Sequence, residues 1–443
     1  MNLKKLPYLG FVLFFSCQGP AEKFEPQVEI SMWKDNKRGA ISHTFDDGTI
    51  NQFTVALPLL DQFGFKGTFY ILTGKVPGSQ YKGKFIGRDI QEIIKETKSI
   101  PTGPDNFFER ASAIGYSGYE GAIDFHSRAG SLVDGGKIEE AYQVIDDGYA
   151  LIRKGKLKGL GEIIYHDNPI DSTTWEDFKN YASGGHEIAS HTITHPRLAA
   201  LDETNMLYEL EKSREEILTH LGKASTFSAE CPYGTENERV MEYAHKIYPA
   251  LRNRMPESYL DELNRGSKRN PGESDKEIVQ WQRGPLTSIT METMKAWVDT
   301  VMRHNNIWLV LVFHGIDGIG WEPRTGDELK EYFGYMKEKE KDLWIGTFAE
   351  VTQYMRERKN TRVEAKYDKD KIQIGFSCSL NSELYDVPLT FKISVPEAWD
   401  ELTVKGGNGE DISFQFFPEQ KYVLFNAVPF GGEVVISENN QDE

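Results

Sequence analysis

The chain has 443 residues, 39% of them hydrophobic and 27% charged, and 51 Lys and Arg stand against 68 Asp and Glu for a formal charge of −17. At roughly 150 residues per domain this length allows two or three domains and a sizeable core, while the acidic balance argues against a nucleic-acid-binding face. No apolar run approaches the roughly 20 residues of a membrane-spanning helix, and three cysteines (Cys17, Cys231 and Cys378) are too few for a disulfide framework.

In chain order, the first element is an address. Lys4 and Lys5 precede an apolar stretch over residues 6–15, and the small residue Ser16 stands directly before Cys17. A charged start, a short apolar run and a small residue are the layout of a secretory signal. With Cys17 placed after it, the segment resembles a bacterial lipoprotein signal, which implies cleavage after residue 16, lipid on the Cys17 thiol and a polar tether over 17–27. A plain secretory signal is the alternative. Both readings imply export, to the periplasm, outer membrane or cell surface, with membrane contact only through the anchor and with Cys231 and Cys378 as free thiols.

Over residues 28–358 short apolar runs alternate with helical stretches, the pattern of a mostly parallel sheet flanked by helices. Predicted strands are 40–45, 67–72, 187–190, 226–229, 308–313 and 343–347; the run 308–313 has no polar alternation and reads as buried on both faces. Residues 202–221 and 292–303 read as helices, with Asp202 as an N-cap for the first. Residues 75–171 read as an insertion, rich in Gly and charge, with a helix over 138–153. It either pads the fold or walls one side of a cleft. Over 360–438 apolar and polar residues alternate in short runs divided by Gly, Pro and Asn, which predicts a small β-sandwich. Cys378 falls in phase with its apolar residues and is expected to be buried. The sandwich either binds glycan or only packs on its neighbour.

Three segments at predicted strand ends carry ionisable groups. Asp46-Asp47-Gly48 puts two diverging carboxylates after an apolar run, although alone it reads first as a turn. His191 and His195 are spaced to share one face if the segment turns helically, which suits two imidazoles on one Zn²⁺. His314 emerges from the most apolar run into Gly315, placed for proton transfer or simply as a core histidine. Two His, one carboxylate and an open position make a catalytic metal shell, and strand C-terminal ends are where barrels of parallel strands collect catalytic groups.

Thr44-Phe45-Asp46-Asp47-Gly48, His191-Thr192-Ile193-Thr194-His195-Pro196 and the strand ending at His314 resemble the motifs of the polysaccharide deacetylase family, the NodB-like group of carbohydrate esterase family 4 and its relatives. The resemblance implies a distorted (β/α)7 barrel, here with a C-terminal β-sandwich. It also implies a divalent transition metal such as Zn²⁺ held by Asp47, His191 and His195. Asp46 would be the general base and His314 the general acid, and Tyr233 in Pro232-Tyr233-Gly234 would give a backbone N–H to the oxyanion. Trp281 would match an aromatic wall that binds substrate. Glu230 stands where the family carries an arginine that pairs with the base; Arg252, Arg254 and Arg283 are candidate replacements. Gln280 stands where the acid His usually finds a carboxylate partner. The expected function is removal of O- or N-acetyl groups from an external poly- or oligosaccharide, first an acetylated plant or algal polysaccharide and second a cell-wall amino sugar. The departures at Glu230 and Gln280 leave a second expectation, a non-catalytic glycan-binding lipoprotein on the same fold.

Overall fold

The structure is a computed structural model that describes residues 24–161, 173–235, 237–256, 261–263, 269–368 and 370–439, so Cys17 and the signal segment lie outside the described residues. Strand β1 (Val28–Ile30) is followed by β2 (Gly39–Phe45), β3 (Gly67–Ile71), β4 (Glu187–Ser190), β5 (Ser228–Ala229) and β6 (Ala250–Leu251). Next come β7 (Glu262–Leu263), β8 (Val279–Arg283), β9 (Ile307–Phe313) and β10 (Leu343–Ile345). Nine of these, β2 to β10, form one sheet in the order β6-β5-β4-β3-β2-β9-β8-β7, with β10 beside the start of β2. Its strand pairings are parallel. The result is an open, curled form of the distorted (β/α)7 barrel.

The alternation of β2 and β9 shows how the sheet divides its faces. Ile41, Phe45, Leu309, Leu311 and Phe313 join the outer core, with helix residues such as Leu60, Val298 and Phe333. Trp308 and Val310 face inward instead, onto Phe348 and Tyr354 of the helix Phe348–Asn360. Burying each such side chain contributes roughly 1.5–3 kcal/mol. That helix enters at the N-terminal end of the barrel. Its first amides donate to Thr68 Oγ1 (Phe348 N, 2.8 Å) and Glu187 Oε2 (Ala349 N, 2.8 Å), at the starts of β3 and β4. The barrel is therefore plugged with apolar side chains at its N-terminal end, and the polar residues are left at the C-terminal end.

Six of these strands lie where the apolar runs place them. β6 and β7 have two residues each, too short to carry a pattern. In β8 the glutamines Gln280 and Gln282 are buried as well as Val279 and Trp281, which hides the alternation.

Among the described residues the insertion holds four helices, Ile90–Glu96, Phe107–Gly115, Ala122–Asp134 and Ile138–Arg153, around a core of their own that includes Ile114, Ile145 and Tyr149. The last of them coincides with the helix read from the sequence. Gly130 lets the insertion approach the loop after His195, because a Cβ there would stand 2.7 Å from the Arg197 side chain.

Seven strands follow residue 360: β11 (Thr361–Asp368), β12 (Lys371–Cys378), β13 (Leu389–Ser394), β14 (Leu402–Gly406), β15 (Phe414–Phe417), β16 (Tyr422–Ala427) and β17 (Val434–Glu438). They make two antiparallel sheets, β11-β12-β17-β14 and β1-β13-β16-β15. The residues 28–30, grouped with the catalytic domain in the sequence reading, instead pair with β13 (Val28 opposite Ile393) and complete the sandwich. A three-residue strand has no periodicity to say which sheet it will join. Cys231 is a buried thiol outside any disulfide, whereas Cys378, expected to be buried, is half-buried at the end of β12.

Candidate active site

Asp46, His191, Glu230 and Arg252 each stand one position beyond the end of a parallel strand, where the backbone still bonds to the neighbouring strand. Asp46 N donates to Phe313 O at 2.9 Å, His191 N to Ile71 O at 2.9 Å, Glu230 N to Ser190 O at 3.0 Å and Arg252 N to Ala229 O at 3.2 Å. Because Phe45 lies opposite Phe313, Asp46 and His314 leave adjacent strands side by side. Gln52 ties these two strand ends together, its Nε2 donating to Asp46 O (2.5 Å) and His314 O (2.7 Å).

Beyond the strand ends the chain turns sharply. Asp47, Thr192, His195 and Tyr233 all have left-handed backbone, with φ of 75°, 70°, 65° and 61°. For non-glycine residues this costs on the order of 1–3 kcal/mol each, and such residues persist only where the surroundings over-determine them. It also corrects the expectation for the His pair. Residues 191–196 are not helical, and the two imidazoles converge because Thr192 and His195 reverse the chain, not because they share a helix face. The positive φ of Thr192 and His195 excludes a right-handed helical turn there.

The convergence itself is as expected. Asp47 Oδ1 is 3.3 Å from His195 Nε2 and 3.7 Å from His191 Nε2, and the three donor atoms lie within 4.8 Å of one another. Two metal bonds of about 2.0–2.1 Å at a tetrahedral angle span roughly 3.3 Å, so the donor set suits one small divalent ion. His191 Nδ1 donates to Glu230 O at 2.9 Å, which leaves Nε2 to face the triangle. Burial, with His195 close by, lowers the His191 pKa to about 4, so its imidazole is neutral at pH 7. Burial opposes ionisation of Asp47, but the hydrogen bond and charge of His195, then His191, hold its carboxyl well below the usual range.

Arg252 is the cation that serves Asp46. Its Nη1 and Nη2 grip Asp46 Oδ1 and Oδ2 at 2.6 and 2.7 Å, and Nη1 also donates to Thr44 Oγ1 at 2.8 Å. Glu230, on the far side, accepts from the same guanidinium at 3.0 Å and from Asn253 Nδ2. The two carboxylates therefore share one arginine instead of opposing each other. Burial works against the Asp46 charge, yet Arg252 first and His314 next hold its carboxyl below the ordinary value. Gln280 and Gln282 fasten Arg252 through its carbonyl, donating from Nε2 at 2.7 and 3.2 Å. Gln280 thus has a place in the arginine's support and none beside His314, whose carboxylate neighbour is Asp46 itself at 3.5 Å.

Trp281 is not a substrate wall. On β8 it points opposite to Gln280 and Gln282, into the outer core near Met294 and Trp297, and is 5% exposed. The aromatics that do line the cleft of about 670 Å³ are Tyr233 and Trp321. Trp321 meets the His314 ring edge-on at 4.7 Å, whereas Tyr233 carries Arg197 over its ring at 4.2 Å.

One further residue escaped the sequence reading. Glu209, buried on the helix Glu203–Leu221, accepts from Ile193 N (2.8 Å), Thr194 N (2.9 Å), Thr194 Oγ1 (2.7 Å) and Tyr116 OH of the insertion (2.7 Å). It holds the loop between the two imidazoles. The insertion adds a second support, since His126 Nε2 accepts from Arg197 N at 3.1 Å. A carboxylate among the alternating charges of an amphipathic helix carries no sequence signal for this role.

Comparison with known proteins follows the same lines. Residues 140–248 match the family model for polysaccharide deacetylase, a stretch that holds His191, His195 and Tyr233. A gellan lyase from Bacillus sp is 26% identical over 285 residues, covering 60% of this chain and 11% of that protein, so the chain spans about a ninth of its length. Peptidoglycan deacetylase PdaC from Bacillus subtilis aligns at 15% identity and TM-score 0.31 over 72% of this chain and 94% of that one. A family 4 carbohydrate esterase from Streptomyces lividans aligns at 14% identity and TM-score 0.30 over 70% and 93%. The family match covers the second and third motifs, the first and last motifs meet them in one cleft, and in these features the chain is similar to the polysaccharide deacetylase family.

Proposed function

We propose that the protein is a metal-dependent carbohydrate deacetylase that hydrolyses O- or N-acetyl groups from a poly- or oligosaccharide outside the cytoplasm. The observation that carries this reading is the Asp47–His191–His195 donor triangle lying in one cleft with the Arg252-gripped Asp46 and with His314. A divalent ion such as Zn²⁺, when bound by the triangle, acidifies a water and polarises the acetyl carbonyl.

The chain's own groups supply the rest. Asp46, held ionised by Arg252, takes the proton from the attacking water as the carbon–oxygen bond forms. The Tyr233 backbone N–H, carried on a left-handed turn at the cleft, stabilises the oxyanion. His314 gives its proton to the departing sugar oxygen or nitrogen, and acetate leaves. Proton count balances: one proton passes from water to Asp46 and one from His314 to the sugar. Arg252 answers the objection raised by Glu230, so the non-catalytic alternative loses one of the two features that favoured it.

Acetylated plant or algal polysaccharide is the first substrate class of this proposal and cell-wall amino sugar the second. Acetate release from a panel of acetylated glycans, with chelated and Zn²⁺-reloaded protein and a His191→Ala control, tests the reading. Release should require both metal and His191; glycan binding without acetate from any member would overturn it. Export on a lipid anchor is part of the proposal, and lipid labelling that disappears in Cys17→Ser is its check.

A further inference from the structure

We propose that Trp321 is a sugar-stacking subsite on the leaving-group side of the cleft, taking the apolar face of the pyranose ring that bears the acetyl group. The position of the subsite rests on the deacetylase reading; the presence of a sugar-binding face at Trp321 does not. Trp321 is 55% exposed, the most exposed large apolar residue among those described. An indole left in water at the rim of a catalytic cleft gains from an apolar partner, and a pyranose offers one in its axial C–H face.

The residue is held out by a rigid loop, not by fraying. Gly315 N donates to Trp321 O at 2.8 Å, Arg324 N to Gly315 O at 3.0 Å and Asp317 N to Arg324 O at 2.9 Å. Gly315 and Gly320 touch so closely that a Cβ on Gly315 would stand 2.8 Å from the Gly320 backbone. Glu322 Oε2 accepts from Thr287 N at 2.8 Å, and the buried Arg324 donates to Ile289 O at 2.7 Å. A side chain presented on such a base keeps its orientation, so little entropy is lost when a ligand stacks on it.

Its place identifies what it meets. The acid His314 must reach the atom that stays on the sugar, and the Trp321 and His314 rings meet at 4.7 Å and 82°. The sugar is therefore brought to the Trp321 side, while the donor triangle and Tyr233 occupy the other. An acetylated amine of a peptide or a small acetyl ester has no comparable face to offer. The inference narrows the substrate to pyranose glycans.

The test separates binding from chemistry. Metal-free full-length protein is titrated by calorimetry with unacetylated xylose, glucose and glucosamine hexasaccharides. Wild type should bind at least one, Trp321→Ala should weaken it by about tenfold, and Trp321→Phe should recover most of the loss. In the metal-loaded protein the Trp321→Ala loss should fall on KM more than kcat and be several-fold larger for the acetylated saccharide than for 4-nitrophenyl acetate. Equal losses on both substrates would overturn the proposal and make Trp321 a prop for His314, as would hexasaccharide binding that ignores the substitution or is absent in wild type. Trp321-dependent binding with no acetate from any substrate would uphold the stacking face and sink the deacetylase reading instead.

Discussion

Arg252 shows how a single residue sets the chemistry of this cleft. It lies 206 positions from Asp46 in the chain, yet it grips both carboxylate oxygens and also accepts the burden of Glu230. Replacing it with Met leaves two buried carboxylates facing each other without a cation. Removing one partner of a buried charge cluster typically costs about 3–5 kcal/mol, and we expect a denaturation midpoint shifted accordingly. The pH dependence follows the same sign. Arg252 holds the Asp46 pKa below its ordinary value, so the carboxylate is ionised, and its stability contribution present, above the carboxylate range; both are lost as pH falls through the lowered value. In variants that weaken the grip, such as Arg252→Lys, the Asp46 pKa should rise and the acid limb of kcat/KM should move to higher pH. An unmoved acid limb would show that Asp46 is not the base. The glutamic acid at 230 looked like a defect because the motif is a local pattern; the cation that answers it comes from the next strand.

Two helices carry functions that their periodicity does not announce. The helix Glu203–Leu221 was legible from its cap and its apolar spacing, but its inward Glu209 organises the loop between His191 and His195 through four hydrogen bonds. Glu209→Gln cannot accept from both Ile193 and Thr194 amides with its NH₂ group in place of Oε2. We expect Zn²⁺ affinity, measured by chelator competition, to fall about 10- to 100-fold, the usual effect of a residue that orients metal ligands. An unchanged affinity with a lowered melting temperature would reduce Glu209 to a structural role. The helix Phe348–Asn360 buries Glu357 against the sandwich, where Val387 N donates to its Oε1 at 3.2 Å and Oε2 has no partner. Burial raises its pKa to about 8. Such an acid is neutral in the fold, so its stability is fully present below the ordinary carboxylate value and is lost as pH rises through about 8. Glu357→Gln should therefore stabilise the protein by about 1–3 kcal/mol at pH 9 and by little at pH 4, in urea titrations at the two pH values.

At the scale of the molecule, the barrel and the sandwich share one apolar core. Trp308 and Phe348 of the barrel belong to the same cluster as Phe391, Ile393 and Ile436 of the sandwich. Tyr354 OH donates to Ser31 O at 2.9 Å and accepts from Thr390 N at 3.3 Å, while Arg356 Nη1 donates to Pro249 O and Tyr385 OH at 2.9 Å each. Truncation after residue 360 would expose the apolar plug of the barrel and strand β1 without its partner. We expect that shortened protein to lose its cooperative thermal transition, and a retained sharp transition would show the barrel to be independent. The insertion is likewise more than padding, since Tyr116 and His126 reach the loop between and after His191 and His195. Alternation alone revealed that a sandwich and an insertion exist; only packing reveals what they touch.

The sequence by itself determined the residue types, the strand ends and the order of the motifs. Asp46, Asp47, His191, His195 and His314 were legible because each follows a run apolar enough to name its strand, and a strand's end fixes where the next side chain emerges. Hydrophobic periodicity is a local property, and it located six of the nine sheet strands for that reason. What only the tertiary structure decided are relations between distant segments: Arg252 as the partner of Asp46, Trp281 in the core and Trp321 at the cleft, the His pair converging through left-handed residues, and β1 completing a sandwich more than 360 residues away. These depend on sheet order and on which face of a strand meets which neighbour. No spacing in the chain encodes them, because pairing between strands is settled by packing across the whole fold.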